Sequence, residues 1–518
     1  MALVIFRIGG RASGLDTDTI IKDLMKAHRV PYNKLLQQKQ LLQWQRDAYR
    51  EMNLKITDYR NNKLSNYRLE SAWLAKKADV TNDAYVSAKA TGAAANGTIT
   101  VQVNSLATAA SNASAGQITT DTSAFNPTQR LGDQNSLLGN KLQQSGGKYI
   151  TYTFRINGTL ITVDPNVDSL DSVIKRINET TNVSAFYDPY TGKVSFVAKQ
   201  TGFVNGPDGT GDKITFEDVD GDFLSNILLV NEGSGTAATQ ADVVINGLNT
   251  KRDSNTFTVN GVEITLKAPS GGAVSQIAVS TDADRIVETV KNFINDYNDI
   301  LKTIQDKLDE TRYRDYPPLT EEQKKEMDDR EIELWEEKAK SGLLRNDDIL
   351  AKAASYLRSV SYSSVDTGNA KYKTLSSIGI VTGTYIEKGK LYLDENKLRE
   401  AIAEDPDIVR KLFANPGTAA DRSDVGLAKR LYDDLKHTLD AIGDKAGYAS
   451  ASDSTAKDGS IIGEQLYRLN GQIDDWERRM KEWEDRYYRQ FTALEMAINR
   501  YNAQAAYLAN AFGYGSQQ

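Results

Sequence analysis

Side chains that could support catalysis are scarce in this sequence. The chain of 518 residues has no cysteine and only two histidines, His28 and His437. Without cysteine there can be no disulfide, no Cys-ligated zinc, no iron–sulfur cluster and no thiol nucleophile. Two histidines cannot supply a three-histidine metal site within one chain. We therefore expect no catalytic residue, no bound metal and no cofactor, and we do not expect an enzyme.

Two short segments resemble ligand-binding motifs but lack the residues that the chemistry needs. Residues 206–213 are rich in glycine, yet Asp212 stands where a phosphate-binding loop needs lysine, and a carboxylate repels phosphate. Asp218, Asp220 and Asp222 alternate like the ligands of a calcium loop, but the turn glycine and the closing glutamate are misplaced. We interpret both segments as ordinary turns.

The histidines and two tryptophans have structural interpretations. His28 lies beside an apolar stripe and is expected to pack or to cap, and His437 lies in a charged helix. Trp476 and Trp483 could stack on a ligand. Their spacing of seven residues instead favours packing along a helical seam.

Composition narrows the class of protein. Lys and Arg number 63 and Asp and Glu 70, so the net charge is −7, a poor match to a nucleic-acid binder. The length predicts three to four domains at about 150 residues each. The apolar run Ala2–Phe6 is far shorter than the ~20 residues of a membrane span and too short for a signal peptide. We expect no membrane insertion, and either a cytosolic location or export without a cleaved signal.

The pattern of apolar residues changes from helical to strand-like and back. Residues 17–70 and 282–512 have helical periodicity, and residues 79–281 are rich in Thr, Val, Gly, Asn and Ser. Asp16 or Thr17 is expected to cap the first helix, and Pro31 is expected to kink or restart it.

Heptad spacing marks both ends of the chain. The N-terminal set is Ile20, Ile21, Leu24, Leu35, Leu42, Tyr49 and Ile56. The C-terminal set is Leu466, Ile473, Trp476, Met480, Trp483, Tyr487, Leu494, Tyr501, Leu508 and Phe512. Each end has one apolar stripe and is unstable alone, so we expect the two ends to pair as a coiled-coil stalk whose tip keeps an apolar contact surface. The alternative, in which the heptads form only an internal strut, stays open.

The centre of the chain predicts hairpins. Alternating apolar residues flank Asn-Gly pairs at residues 157–158 and 260–261, and a third pair lies at 246–247. Residues 149–198 read as hairpin, helix, hairpin. The expected fold is multidomain α + β, with β-rich heads inserted between helical ends. The expected domains are a terminal coiled-coil stalk (1–40 and 480–518), a helical leg domain (41–78 and 282–479), a β-rich head (79–130 and 241–281) and a second α+β head nested in the first (131–240).

Several blocks resemble the bacterial flagellar filament cap family, also called flagellar hook-associated protein 2. Ile8–Ile20 is similar to the opening signature of that family, with Arg11 where the family usually has leucine. Gln45–Arg50 resembles its next block, and residues 241–301 resemble the start of its C-terminal region. Leu375–Gly379 and Leu391–Phe413 resemble the later part.

The resemblance implies a secreted structural protein at the distal tip of the flagellum. It implies a ring of identical copies, expected to be a pentamer, that folds and places flagellin subunits beneath it and prevents their loss. Further implied partners are the hook-associated junction proteins and a cytosolic export chaperone bound at the C-terminal helix. Export would use the flagellar type III apparatus, which needs no cleaved signal peptide.

Two other functions remain open from the sequence alone. Another axial flagellar protein, such as a hook–filament junction protein, would share the helical ends, although the Ser13–Asp16 opening argues against it. A surface adhesin would use the β-rich head (residues 79–281) to bind host glycans or proteins, and this role could coexist with capping.

Overall fold

The chain folds into two compact units. The computed structural model describes residues 14, 16–203, 212–418, 420, 422–448 and 458–513, without the side chains of Glu232 and of residues 511–513. Residues 74–283 form one unit, here called the second unit, and the described residues before and after them form the first unit. Within these ranges no helix combines the length and the apolar character that crossing a membrane requires.

Helices make up most of the first unit, and α3 is the helix of the second. In chain order they are α1 (Thr17–Asp58), α2 (Ser65–Tyr67), α3 (Leu170–Thr180), α4 (Ala283–Asp309), α5 (Glu321–Lys324), α6 (Asp329–Lys340), α7 (Asp348–Tyr362), α8 (Glu395–Glu404), α9 (Ile408–Ala414), α10 (Leu427–Ala446) and α11 (Ile461–Gly513). The long terminal helices are those that the heptad spacing predicts.

The strands lie mainly in the second unit. They are β1 (Lys76–Val80), β2 (Val86–Ala90), β3 (Gly97–Ser105), β4 (Ser111–Ala113), β5 (Gln144–Ser145), β6 (Lys148–Tyr149), β7 (Tyr152–Ile156), β8 (Thr159–Val163), β9 (Val183–Asp188), β10 (Lys193–Ala198), β11 (Phe216–Asp220), β12 (Ala241–Ile245), β13 (Leu248–Arg252), β14 (Thr256–Val259), β15 (Val262–Leu266), β16 (Ser275–Thr281), β17 (Ile380–Thr382) and β18 (Leu391–Leu393). The multidomain α + β fold is confirmed.

Helix α1 begins as its sequence predicts but does not break where expected. The Asp16 carboxylate accepts the backbone N–H of Thr19 at 3.0 Å, which caps the first turn. The prediction that Pro31 restarts the helix is wrong, because α1 continues through it to Asp58. A proline in a helix interior removes one backbone hydrogen bond, and the helix continues in spite of that loss.

Antiparallel pairs build every sheet of the described chain. The strand orders are β1-β16-β3-β12-β13, β4-β10-β9, β11-β7-β8, β14-β15-β2, β17-β18 and β5-β6. The three Asn-Gly pairs connect β7 to β8, β12 to β13 and β14 to β15, as predicted. Both residues of each pair have positive φ, between 48° and 81°. That conformation matches the twist of a two-residue hairpin.

The second unit has two hydrophobic cores, and the boundary between them differs from the prediction. One core is formed by β2, β3, β12, β15 and β16. The other begins at Ala110 and includes Ile118 and Phe125, rather than starting at residue 131. The reason is that β4 pairs with β10, which draws residues 110–130 into the second core. Strand β1 likewise begins at Lys76, inside the range expected for the helical leg.

Strand β9 is an edge strand of its sheet, and a side chain occupies part of its free edge. The Asn178 amide, on α3, accepts the backbone N–H of Ala185 at 2.6 Å. The same amide donates to the carbonyl oxygen of Ala185 at 3.0 Å. Asn178 therefore satisfies both backbone groups that a further strand would use at this position.

The first unit is built around buried aromatic rings. Trp73 is 1% exposed and stacks on Phe413 with ring centroids 4.5 Å apart. Phe293 meets the edge of Phe413 at 4.9 Å, and the Trp73 indole N–H donates to the carbonyl oxygen of Tyr67 at 2.7 Å. Residues 41–73 and 284–479 therefore share one unit with the terminal helices, and the contacts do not separate a stalk from a leg.

Candidate functional site: the paired terminal helices

Helices α1 and α11 pair in opposite directions. The hydroxyl of Tyr488 donates to the Asp18 carboxylate at 3.1 Å, and the hydroxyl of Tyr32 donates to Glu477 at 2.7 Å. Further along α1, the Arg50 guanidinium lies 3.4 Å from Asp458, just before α11. Residue numbers rise along one helix as they fall along the other. The predicted pairing of the two chain ends is thus confirmed, with antiparallel geometry.

An aromatic cluster fastens the two helices near the middle of their contact. The His28 ring stacks on Trp483 with centroids 4.2 Å apart, and its Nε2 lies 3.1 Å from the Tyr487 hydroxyl. Trp476 meets Trp483 edge-on at 5.8 Å. These contacts match the packing roles expected for His28 and the two tryptophans. Such aromatic pairs contribute about 0.5–1.5 kcal/mol beyond the area that they bury.

Polar pairs across the helix contact were not foreseen from the sequence. Burial and, next in size, the hydrogen bond to Glu477 together raise the pKa of the Tyr32 hydroxyl to about 12. The phenol therefore stays protonated and donates to the carboxylate at neutral pH. Heptad spacing indicates that two helices pair but does not give their relative direction. The pair of Tyr32 and Glu477 could not be predicted because it requires the antiparallel register.

The predicted stripe residues fall into three groups by exposure. Buried members are Ile21, Tyr49, Ile56, Leu466 and Ile473, and half-buried members are Ile20, Leu35, Leu42, Trp476, Met480, Trp483 and Tyr487. Exposed members are Leu24, Leu494, Tyr501 and Leu508. The side chain of Phe512 lies outside the described residues.

The N-terminal heptad line divides between two partners. Tyr49 and Ile56 are 2% and 0% exposed, and they follow one another along α1 from the point where the antiparallel pairing reaches the start of α11 near Arg50. Here α1 packs on α10, where the Asn53 amide donates to the carbonyl oxygen of Leu439 at 3.4 Å. The Tyr49 hydroxyl donates to the Asp347 carboxylate. Tyr49 and Ile56 are therefore interior residues of the first unit.

The apolar stripe of α11 extends beyond the start of α1. Leu494, Tyr501 and Leu508 continue the seven-residue spacing of Ile473, Met480 and Tyr487. They are 44%, 69% and 51% exposed. Because Asp18 already lies opposite Tyr488, the later turns of α11 pass the first residue of α1 at Thr17. At 1.5 Å per residue, residues 494–513 add about 30 Å of helix.

Two further apolar side chains are exposed on the other side of the same helix end, since at 3.6 residues per turn they lie roughly opposite the stripe. Met496 and Tyr507 are 58% and 75% exposed. We call Leu494, Met496, Tyr501, Tyr507 and Leu508 the apolar tip. Apolar residues concentrated along one exposed helix segment are typical of a protein interaction site.

The carboxylates of the acidic turn, which resembles a calcium loop, accept hydrogen bonds from protein groups. The Asp218 carboxylate accepts the backbone N–H groups of Leu224 and Ser225 at 2.9 and 3.0 Å. Asp220 accepts the hydroxyl of Thr153, and Asp222 accepts the amide of Asn226. In the part of the chain that the structure describes, no three His, Asp or Glu side chains are placed to hold a metal ion. Most of residues 206–213 lie outside that part.

Two family models match the chain. The model described as the flagellar hook-associated protein 2 N-terminus matches residues 13–110. The model described as the flagellar hook-associated protein 2 C-terminus matches residues 238–503. The two matches lie in the expected order and together include most of α1 and α11.

Two curated relatives match along almost their whole length. Flagellar hook-associated protein 2 of Halalkalibacterium halodurans is 34% identical over 98% of this chain and 99% of the relative. Flagellar hook-associated protein 2 of Thermotoga maritima is 26% identical over 98% and 96%. The crystal structure of the D1-D2-D3 domains of the flagellar cap protein from Escherichia coli, 18% identical, covers 76% of this chain and 99% of that chain with a TM-score of 0.50. That structure shows a shared fold.

Proposed function

This chain belongs to the flagellar hook-associated protein 2 family, and we propose that it caps the distal end of a bacterial flagellar filament through its paired terminal helices. Relatives with this name and a solved cap protein of the same fold support a structural role in the flagellum. The cap would promote the folding and insertion of flagellin subunits and prevent their loss.

One observation supports the terminal helices as the contact site. Leu494, Tyr501 and Leu508 continue the apolar stripe that α1 covers in the earlier part of α11. Their side chains nevertheless stay 44%, 69% and 51% exposed. Large apolar side chains gain free energy when a partner removes them from water, at about 25 cal/mol per Å². A partner that supplies a helix would complete the heptad packing already present between α1 and α11. We propose that flagellin and neighbouring copies of this chain are these partners.

A ring of copies on a helical filament has a physical consequence. Closed rings and open helices are different solutions of head-to-tail association, so their symmetries do not match. We propose that the copies form a ring, a pentamer in the simplest case, which leaves one gap at a time beneath it. Each gap would admit one flagellin subunit, after which the cap would move to the next position.

Export and assembly add further partners to the proposal. The protein would act outside the cell after passing through the flagellar type III apparatus, and it would follow the hook-associated junction proteins into the growing structure. A cytosolic chaperone would cover the apolar tip before export. The apolar tip is suited to this role because the described residues of α1 do not cover it.

The test compares tyrosines at the two ends of α11. Tyr501 and Tyr467 are 69% and 65% exposed, but Tyr501 lies on the apolar tip and Tyr467 lies at the opposite end of the helix. Purified Tyr501→Ser, alone and combined with Leu508→Ser, would be added to flagellin filaments and the end-bound cap counted by electron microscopy. We expect occupancy to fall at least about tenfold in the double variant, since each lost apolar contact weakens binding by ~1 kcal/mol or more.

Tyr467→Ser serves as the matched control and should bind filament ends like the unaltered protein. Far-ultraviolet circular dichroism of each variant would show whether α11 remains helical. Normal end occupancy by the double variant, with its helix intact, would contradict the role proposed for the apolar tip. Using purified protein keeps this result separate from any effect of the substitutions on export.

A further inference from the structure

The middle of helix α1 packs on α11 but has no fully buried side chain. Its buried side chains lie at one end, at Ile21 and Met25, and at the other, from Tyr49 onward. Between residues 26 and 48 no side chain of α1 is buried, and this stretch contains Pro31. Proline cannot donate to the carbonyl group four residues earlier. A segment with few buried contacts and a missing hydrogen bond opens more readily than the core does.

Residues 311–343, here called the strap, form a closed structure between α4 and α7. The Arg312 guanidinium donates to the carbonyl oxygens of Ala339 and Ser341 at 2.6 and 2.9 Å. The Ser341 hydroxyl donates to the carbonyl oxygen of Thr311 at 2.6 Å. These bonds join the two ends of the strap, so the segment is closed on itself before it contacts α1.

The interior of the strap is ordered by aromatic packing and helix caps. The Trp335 indole N–H donates to the carbonyl oxygen of Pro317 at 2.8 Å, and the ring packs on Tyr316 at 4.7 Å. Reciprocal capping bonds begin both short helices, from Thr320 at α5 and from Asp328 at α6. The strap is therefore a folded element and not a solvated run of charges.

Four polar contacts connect the strap to α1, all between residues 26 and 48. The Gln45 amide donates to the carbonyl oxygen of Leu343 at 3.5 Å. Glu322 forms an ion pair with Arg29 at 2.9 Å. The Gln37 amide donates to the carbonyl oxygen of Pro318 at 2.8 Å. The ammonium group of Lys340 lies 5.0 Å from the centre of the Trp44 ring. Positions 29, 37 and 44 are about two helical turns apart, so the contacts follow one face of α1.

We propose that the strap is a detachable splint that keeps the middle of α1 helical across Pro31. Its contacts are polar and accessible to salt, since the Arg29 and Glu322 side chains are 46% and 52% exposed. Such contacts can open without unfolding the aromatic core around Trp73. The closed strap holds α1 stiff on both sides of Pro31, and the open strap lets the helix bend or fray there. This inference does not depend on the proposed capping function.

Hydrogen exchange of the full chain tests the splint. The variant Glu322→Gln with Lys340→Met removes two of the four contacts. We expect the amides of residues 26–48 to exchange at least about fivefold faster, and those of residues 49–56 to remain unchanged. Raising the salt concentration to about 1 M should produce the same local change in the unaltered protein, because salt screens exposed charges.

Two controls make the test specific. Glu395→Gln breaks a similarly exposed ion pair, with Lys291 at 2.7 Å, that lies outside the strap, and it should leave residues 26–48 unchanged. Pro31→Ala restores the missing donor, so in that background we expect the double variant to change exchange less than about twofold. Unaltered exchange in the double variant, or an equal effect with and without Pro31, would overturn the proposal.

Trp335→Ala offers a second route, because it removes the ring that orders the strap without touching α1. The same local increase at residues 26–48 is expected. A simultaneous increase at residues 49–56 would show that the strap is part of the core and would also overturn the proposal.

Discussion

The His28 ring stacks on Trp483 with centroids 4.2 Å apart and planes inclined by 28°. The two residues lie on opposite terminal helices, so this contact exists only when the chain ends have met. His28 also reaches Tyr487 through its Nε2, at 3.1 Å. A single side chain near the start of the chain thus contacts two consecutive positions of the C-terminal heptad series.

A double-mutant cycle should measure this contact. We expect His28→Ala and Trp483→Leu each to destabilise the first unit, and their effects to be non-additive by about 0.5–1.5 kcal/mol, as for other aromatic pairs. Urea unfolding followed by tryptophan fluorescence gives the free energies. All five tryptophans lie in the first unit, at positions 44, 73, 335, 476 and 483, so the signal reports on that unit. Strict additivity would show that the two rings do not interact.

Tyr49 and Tyr32 both donate to carboxylates but differ in burial, so they form a matched pair. The Tyr49 side chain is 2% exposed and its partner Asp347 also caps α7, whereas the bond from Tyr32 to Glu477 is exposed. Burial, reinforced by Asp347, raises the pKa of the Tyr49 hydroxyl well above its usual range. We expect Tyr49→Phe to cost roughly 1–3 kcal/mol and Tyr32→Phe under about 1 kcal/mol.

The same urea titration would measure both tyrosine variants. Equal losses from the two substitutions would contradict the idea that burial sets the value of each hydrogen bond.

Acid should selectively weaken the contact between Arg50 and Asp458. Burial opposes ionisation of Asp458, but hydrogen bonds from Ser460 and the charges of Arg50 and Arg46 outweigh it and lower the pKa below the usual 3.8. The folded state therefore binds a proton less readily than the unfolded state. The resulting stability is present above about pH 4 and is lost as the pH falls through the lowered pKa.

The matching experiment compares the unaltered protein with Asp458→Asn at several pH values between neutral and about 3. The difference in unfolding free energy should be largest near neutral pH and should shrink as Asp458 becomes protonated. A difference that grows on acidification would show that the sign of the shift is wrong.

Deleting either terminal segment should abolish filament binding without unfolding the second unit. Deleting residues 480–518 removes Trp483 and the apolar tip, and deleting residues 1–40 removes His28, so either deletion should abolish binding to filament ends. The two cores of residues 74–283 lie wholly inside the second unit and should remain folded. Limited proteolysis would detect a protected fragment of this size, and electron microscopy would score the filament ends. Retained capping by either truncated protein would refute the role of the terminal helices.

Local features of this fold could be predicted because each depends on a few neighbouring residues. Asn157-Gly158 forms a hairpin turn since both residues tolerate positive φ, and Ser169 caps α3 through its hydroxyl. The seam from Ile473 to Tyr487 follows from heptad spacing alone. The residues of the apolar tip on that spacing could be identified by extending the same series to Leu508.

Features that depend on distant contacts could not be predicted in this way. Tyr49 fits the heptad line of Leu35 and Leu42, but its hydroxyl donates to Asp347 at the start of α7, a partner 298 residues away that the spacing does not reveal. Residues 110–130 belong to the second core because β4 pairs with β10, which lies more than eighty residues later in the sequence. The continuity of α1 through Pro31 likewise depends on neighbours that no local pattern reveals.

The bonds from Asn178 to the backbone of Ala185 affect how copies of this protein can pair through their strand edges. An open strand edge is a template on which identical chains can stack without limit. By occupying this position of the edge with its own side chain, the chain discourages edge-to-edge pairing of sheets from different copies there.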